Sequence, residues 1–185
     1  MKSPLAALCL LSVLCACAAS RPDRFYVLSV QPPGSVQART SPATEVSLKV
    51  ALPSMVDRGE MIIQTSADGV RVLEHERWAA PLADMITETL ARDLERRRAD
   101  LLVTGAGRAS GPLVKINLEF LQMTVRQGGT ASIEAHWHIL DPRSGKDVVG
   151  GELFSTPLST DDYAGIAQAV SGCLSLLADR LIAQM

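Results

Sequence analysis

The sequence predicts a two-layer α+β domain, with a mostly antiparallel sheet of about six to seven strands under two long amphipathic helices. Several short segments alternate apolar and polar residues, which is typical of strands with one buried face. Two longer segments repeat apolar residues at helical spacing. Because each helix must cover apolar surface and an antiparallel sheet offers one face, the elements are expected to pack as two layers.

The first part of the domain is predicted to be strands. Residues 24–31 (RFYVLSVQ) are rich in aromatic and β-branched residues, and a loop rich in Pro, Gly and Ser follows over 31–44. Apolar and polar residues then alternate from Val46 to Leu52, and Pro53 ends that strand. The segments MIIQT and VRVLEHERW flank SADG, whose Asp-Gly pair predicts a hairpin turn.

A helix is predicted over 81–98, because Pro81 suits the first helical position and one apolar stripe follows it. The stripe consists of Leu82, Met85, Ile86, Leu90 and Leu94. Arg96, Arg97 and Arg98 lie in the last turn, where cations complement the helix dipole. The alternative for this basic cluster is contact with a lipid headgroup or a partner.

Strands return after the helix, starting with the short segment DLLVTGA. Buried positions are then expected at Val114, Ile116, Leu118, Phe120, Leu121, Met123, Val125, Ala131, Ile133, Ala135, Trp137 and Ile139. The change of phase at Phe120-Leu121 predicts a β-bulge there. After a turn at DPRSGK, the segment DVVGGELFST is predicted to form a further strand.

The last helix is expected to begin at Ser159 or Thr160, with Ser159 and Asp162 forming a capping box. Its buried stripe is predicted to be Tyr163, Ile166, Val170, Leu174, Leu177 and Leu181. Cys173 lies on the apolar side of this helix, where a thiol is expected to pack as a small hydrophobe.

Residues 1–16 are interpreted as a secretory leader, since Lys2 precedes an apolar run too short for a bilayer, which needs roughly 20 residues. No later apolar run approaches that length. The segment from Leu14 to Cys17 resembles a bacterial lipoprotein signal, which predicts lipid attachment to the Cys17 thiol. Cys17 is followed by Ala18 rather than by Asp, which would signal retention in the inner membrane, so the outer membrane is the expected location. The alternative is an ordinary signal peptide cut near Ala18.

No catalytic signature stands out, and no cofactor or metal is predicted. His136 and His138 lie two residues apart on one strand beside Glu134, with His75 elsewhere, so a zinc site is the enzymatic alternative. The same residues alternate with buried positions, which a solvated face explains. The net charge of −2 argues against a nucleic-acid partner.

Three motifs resemble the PqiC-like family of ABC-type transport auxiliary lipoproteins. They are Phe25-Tyr26-Val27-Leu28, the segment from Leu52 to Arg58, and the segment from Arg77 to Leu82. Met55 and Gly59 depart from the family pattern, in which Tyr and Pro are frequent. The resemblance divides the chain into a leader (1–16), a lipidated N-terminus and tether (17–24) and one family domain (25–185).

The resemblance implies a non-catalytic docking subunit of an MCE-type ABC transport system for lipids or other hydrophobic molecules. Its partners would be an MCE-domain protein and ABC transporter subunits, met at the periplasmic side of the outer membrane. Partner contacts are hypothesised at Leu52, Pro53, Asp57, Arg58 and Trp78. The alternatives are that the segment from Leu52 to Arg58 is a structural corner and that Trp78 packs against the first turn of the following helix. A homo-oligomeric ring would suit a collar around a partner. The alternative is an envelope-assembly lipoprotein without a transport role.

Overall fold

The computed structural model describes residues 21–31, 43–105, 113–160 and 162–185. The predicted leader, Cys17 and most of the 31–44 loop lie outside these residues. The strands are β1 (Arg24–Tyr26), β2 (Thr44–Ala51), β3 (Glu60–Gln64), β4 (Val70–Trp78), β5 (Leu101–Gly105), β6 (Val114–Val125), β7 (Thr130–Asp141) and β8 (Lys146–Pro157). The helices are α1 (Leu82–Arg97) and α2 (Tyr163–Gln184). The α+β class and the two long helices are confirmed.

The strands form two sheets, which corrects the expectation of one mostly antiparallel sheet. A small sheet has the order β1-β4-β3, and a large sheet has the order β5-β2-β6-β7-β8. Strand β2 is parallel to both β5 and β6, and β1 is parallel to β4, whereas the other three pairs in the described residues are antiparallel. Alternation along one strand predicts its buried face but not the direction of its neighbour, so the sequence could not reveal this mixture.

Both helices cover the same face of the large sheet. Helix α1 packs against β2 and β5, α2 packs against β7 and β8, and the helices contact each other. The predicted stripe of α1 is buried throughout, and that of α2 is buried except at Tyr163, which is half-buried. The opposite face of the large sheet faces solvent and carries mainly polar side chains, together with the exposed apolar residues Leu121, Val149 and Leu153. The core lies between the helices and the large sheet, and buried apolar residues of the small sheet, such as Met61 and Ile63, also belong to it.

The hairpin and the bulge are confirmed. Strands β3 and β4 pair antiparallel across the SADG turn, and the register of β6 against β7 shifts between Phe120 and Gln122. The prediction that Leu121 is buried is wrong, since Leu121 is 43% exposed. At the bulge Leu121 is the extra, unpaired residue, so Leu121 and Gln122 both face outward before burial resumes at Met123.

The ends of three elements differ from the expectation. Pro81 is the N-cap of α1 rather than its first helical residue. Helix α2 begins at Tyr163, and the Asp162 side chain caps it by accepting a hydrogen bond from the Gly165 N–H at 2.9 Å. The predicted capping box is therefore wrong, because Ser159 lies before the cap and donates to Gln168. Strand β1 ends at Tyr26, so the predicted strand 24–31 is extended chain beyond that point.

Helix α2 is long and apolar enough to cross a membrane, and among the described residues no other helix is. The sequence had suggested no such segment. Its apolar face packs on the large sheet and α1, as expected of a core helix. Within it the Cys173 side chain is fully buried, and burial raises the pKa of this thiol above its ordinary value. Cys173 therefore packs as a small hydrophobe, as predicted.

The basic cluster at the end of α1 has structural partners. The Arg97 side chain is 9% exposed and donates to Asp179 Oδ1 at 2.6 Å and to Ser175 Oγ at 2.7 Å, both on α2. It also lies 3.4 Å from the Asp93 carboxylate, which is fully buried. Burial raises the pKa of Asp93 despite the nearby Arg97. Arg97 therefore ties the two helices together.

The two neighbours of Arg97 have less buried surroundings. Arg98 is paired with Asp100 two residues later, at 2.5 Å, and Arg96 is exposed. Arg97 and Arg98 therefore have side-chain partners within the fold.

Candidate docking site

The candidate site is built on the segment that leads from β2 in the large sheet to β3 in the small sheet. After β2 the carbonyl of Pro53 accepts hydrogen bonds from the N–H groups of Val56 at 3.0 Å and Asp57 at 3.2 Å. Val56 is 7% exposed and inserts into the core. The turn is thus held at its base by backbone bonds and at its far end by one buried side chain.

The structure places Trp78 underneath this segment rather than on its surface. Trp78 is 6% exposed and lines a small apolar space together with Val56, Met61, Leu82 and other core residues. Its backbone N–H donates to the Gly59 carbonyl at 2.7 Å, which joins the end of β4 to the end of the segment. Trp78 therefore supports the shape of the segment.

The other predicted contact residues differ in exposure. Leu52 and Pro53 are half-buried at the end of β2, whereas Asp57 and Arg58 are exposed. Arg58 Nε lies 3.0 Å from Glu60 Oε2, and Arg77 Nη1 lies 2.9 Å from Glu60 Oε1. The hydrogen bond from Arg58 holds the pKa of Glu60 below its ordinary value. The Glu60 carboxylate thus bridges two guanidinium groups that remain partly accessible.

Two exposed apolar residues extend this surface, and sequence reasoning did not single them out as contacts. Met55 is 54% exposed at the tip of the turn, and Phe25 is 62% exposed on β1. Phe25 is in register with Arg77, which is in register with Glu60, so the three lie on one face of the small sheet. The signal for Phe25 was present, because it alternates with Tyr26, whose hydroxyl is bonded within the fold. We call Phe25, Met55, Asp57, Arg58 and Arg77 the docking surface.

The other face of the small sheet holds a buried carboxylate. Glu76 is 4% exposed, and both its oxygens accept from Arg24 Nε, at 3.1 and 3.0 Å, while Tyr26 donates to Oε2 at 2.7 Å. The Arg24 guanidinium also lies over the ring of Tyr163, 5.7 Å from its centroid. One carboxylate therefore joins β1 to β4, and Arg24 extends the contact to the start of α2.

These contacts set the ionisation of the cluster. Burial acts to raise the pKa of Glu76, but the hydrogen bonds from Arg24 and Tyr26 outweigh it and hold that pKa below its ordinary value. Burial, with the hydrogen bond to Glu76, raises the pKa of Tyr26 to about 12. Glu76 is therefore an ionised acceptor and Tyr26 a neutral donor near neutral pH.

Two further contacts fasten the N-terminal segment. His75 Nδ1 lies 3.0 Å from Asp23 Oδ1 just before β1, and the Ser29 N–H donates to Ser171 Oγ on α2 at 3.0 Å. The chain from residue 23 to 29 is thereby held to the small sheet and then to α2. The first residues that the structure describes therefore run beside the small sheet.

The histidines of the zinc hypothesis are not brought together with a third ligand. His136 and His138 lie on the solvent face of β7, and His138 Nε2 is 2.6 Å from Asp147 on β8. His75 is on β4 in the small sheet and contacts Asp23. Within the described ranges, no three side chains of His, Cys, Asp or Glu are placed to hold a metal ion.

Comparison with known proteins gives a family and a fold. A family model described as "ABC-type transport auxiliary lipoprotein component" matches residues 26–182. A crystal structure of an uncharacterised protein is similar with a TM-score of 0.72 at 14% identity, covering 87% of this chain and 97% of that one. A Xanthomonas campestris protein of the DUF330 family is similar with a TM-score of 0.65 at 15% identity, covering 86% and 92%. No curated protein matches the sequence.

Proposed function

Because the chain belongs to the ABC-type transport auxiliary lipoprotein family, we propose that it is the non-catalytic docking subunit of an MCE-type ABC transport system that moves lipids or other hydrophobic molecules. The accessory role in transport and the lipoprotein character come with the family. The MCE partner, the outer-membrane location and the periplasmic orientation are the finer parts of the proposal. The motif from Leu52 to Arg58, one of the three that carry the resemblance, supports the partner contact because it lies partly exposed where the chain passes from one sheet to the other.

In this proposal Cys17 carries the acyl chains that anchor the domain. Each buried methylene contributes about 0.8 kcal/mol to membrane binding, so two or three chains hold a protein stably. The tether from Ala18 to Arg24 has seven residues and spans at most about 25 Å when extended. Since Asp23, Arg24 and Tyr26 fasten the following chain to the small sheet, this sheet would lie near the membrane.

The docking surface is the proposed contact with the transport partner. It combines exposed apolar side chains, Phe25 and Met55, with the guanidinium groups of Arg58 and Arg77. Aromatic residues, Met and Arg are enriched in protein interfaces, where an apolar centre is surrounded by charged groups. Leu52, Pro53 and Trp78 would act by holding the turn, and Asp57 and Arg58 would contact the partner directly.

The test is cross-linking of the tagged, full-length chain in intact cells, followed by mass spectrometry of the captured proteins. We expect an MCE-domain protein, linked through the docking surface. Capture of outer-membrane assembly factors alone, in cells that express MCE proteins, would favour the envelope-assembly role and contradict the transport proposal.

The anchor is tested separately by the variant Cys17→Ser. We expect the wild-type chain to float with outer-membrane vesicles in a density gradient, and the variant to be lost from that fraction. A variant that stays in the outer-membrane fraction would show that Cys17 is not the anchor.

A further inference from the structure

Two exposed apolar residues lie close to the start of the described chain. Phe25 is 62% exposed and Val27 is 61% exposed. Tyr26 and Leu28 alternate with them and pack partly against the core. Because side chains two residues apart in extended chain lie on the same side, Phe25 and Val27 both point outward. We call these two residues the apolar pair.

The segment that carries the apolar pair is fixed to the domain on both sides of the pair. Before it, Asp23 Oδ1 lies 3.0 Å from His75 Nδ1 on β4. After it, the Ser29 N–H donates to Ser171 Oγ on α2 at 3.0 Å. The pair is therefore held in its outward position and cannot fold back to bury its own apolar surface.

The acyl anchor proposed at Cys17 restricts which side of the domain can face the membrane. Asp23 follows Cys17 by six residues, so the two are at most about 20 Å apart when the chain is extended. A folded domain of this length is about 40 Å across. The side of the domain opposite Asp23 therefore cannot face the bilayer, whereas the apolar pair begins two residues after Asp23 and lies within reach of it.

Basic side chains lie beside the apolar pair. Arg77 is in register with Phe25, and its side chain remains 34% exposed although it pairs with Glu60. Arg21 is also exposed, four residues before Phe25. Guanidinium groups donate hydrogen bonds to phosphate oxygens, and apolar side chains beside them enter the boundary between headgroups and acyl chains. This combination is complementary to a phospholipid surface.

We propose that the apolar pair, with Arg77 and Arg21 beside it, contacts the phospholipid surface of the membrane that holds the acyl chains of Cys17. The inference rests on the anchor in the proposed function and adds to it a direct contact between the folded domain and lipid. Phe25 also belongs to the docking surface, so the remainder of that surface lies beside the membrane.

The test places a fluorophore on the apolar pair in the full-length, lipidated chain. Phe25→Cys and Val27→Cys are each labelled with the dye NBD, since acylation of Cys17 and the full burial of Cys173 leave no other accessible thiol in the mature chain. Each chain is reconstituted into vesicles of phosphatidylethanolamine and phosphatidylglycerol, with or without a nitroxide on the lipid acyl chains. The matched control is Val149→Cys.

The control position is exposed like the apolar pair but lies elsewhere on the domain. Val149 is 78% exposed on the solvent face of the large sheet. The helices separate this sheet from Ser29, which is bonded to α2. A domain that rests on the apolar pair therefore keeps Val149 away from lipid.

We expect the nitroxide lipid to quench the labels at positions 25 and 27 at least threefold more strongly than the label at 149. The two positions are separate variants, so a folding defect in one, detected by circular dichroism, leaves the other as the test. The vesicles contain no transport partner, so the result does not depend on the docking surface.

Three results would overturn the contact with lipid. Weak quenching at 25 and 27 in a chain that floats with the vesicles, or equal quenching at 149, would do so and leave the anchor at Cys17 intact. Shielding of the labels from water without quenching by the lipid would show that a second copy covers the pair. A chain that does not float would contradict the anchor itself, and the contact with it.

Discussion

The small sheet and the large sheet differ in the contacts that stabilise each of them. Within the small sheet a buried carboxylate, that of Glu76, joins β4 to two donors on β1, Arg24 and Tyr26. The sheet meets the core through buried apolar side chains such as Met61 and Ile63. The large sheet is covered on one face by both helices and is held by apolar packing. Most buried apolar residues therefore belong to the large sheet and its helices, whereas the small sheet and the turn before β3 carry the exposed residues of the proposed docking surface.

Removal of apolar bulk from the core of the large sheet should have the largest effect on stability. The variant Leu174→Ala deletes a fully buried side chain of α2 and should lower the free energy of unfolding by about 3 kcal/mol. Urea denaturation, monitored by circular dichroism, measures this change in the free energy of unfolding. The control Leu121→Ala, on the exposed bulge, should change it by less than about 1 kcal/mol. Similar losses in both variants would contradict the assignment of the core.

The contacts of Arg97, which join the two helices, should have the next largest effect on stability. The variant Arg97→Ala leaves the Asp93 carboxylate buried without its cation and should destabilise by about 2–3 kcal/mol. Its neighbour Arg96 is exposed, so Arg96→Ala is a matched control expected to stay within about 0.5 kcal/mol. Adding Asp93→Asn to Arg97→Ala should restore part of the loss. If adding Asp93→Asn lowers the free energy of unfolding further, the buried Asp93 carboxylate is not what destabilises the Arg97→Ala variant.

A smaller effect is expected at the Glu76 cluster, which fastens β1 to β4 within the small sheet. The variant Tyr26→Phe removes the donor to Glu76 Oε2 and should cost about 1 kcal/mol. Hydrogen exchange should rise in residues 24–29 while the strands of the large sheet keep their protection. Faster exchange throughout the large sheet would show that the two sheets do not differ as described.

The same cluster predicts a pH dependence. The folded state lowers the pKa of Glu76, so as pH falls the unfolded chain binds the proton first and stability is lost. The contribution is complete above the ordinary pKa of Glu, about 4.3, and disappears as pH falls through the lower folded value. The difference in urea stability between wild type and Glu76→Gln should therefore shrink on acidification. A constant difference would contradict an ionised Glu76.

The smallest effect on stability is expected at the docking surface. The variant Met55→Asp changes an exposed side chain and should alter the free energy of unfolding by less than about 0.5 kcal/mol. The same variant should reduce recovery of the MCE partner in the cross-linking experiment at least fivefold. Loss of stability with retained recovery would reverse the assigned roles.

The sequence was informative where one strand or helix determines its own pattern. The stripe from Leu82 to Leu94, the Asp-Gly hairpin and the bulge after Phe120 could all be predicted, because each depends on local periodicity or turn chemistry. Strand direction and the split into two sheets could not, since they depend on which distant segments meet. The parallel pairing of β2 with β5 and β6 is of this kind.

The candidate site was likewise predictable only in part. The motif from Leu52 to Arg58 was found through its resemblance to a family, and the family match covers it. The burial of Trp78 agrees with its expected packing at the start of α1, and the exposure of Phe25 agrees with its alternation with Tyr26. The partners of side chains across strands were not predictable, because they depend on which distant segments meet. The contacts of Arg97 across to α2 were hidden for the same reason, because they join residues 78 to 82 positions apart.

The most direct test of the account compares two exposed positions in living cells. A photo-crosslinking amino acid is placed at Met55, on the docking surface, or at Glu88, an exposed residue of α1, in the full-length chain. The account predicts an adduct with an MCE-domain protein from position 55 and none from position 88. Equal adducts from both positions, or none from position 55 in cells that express the MCE protein, would contradict it.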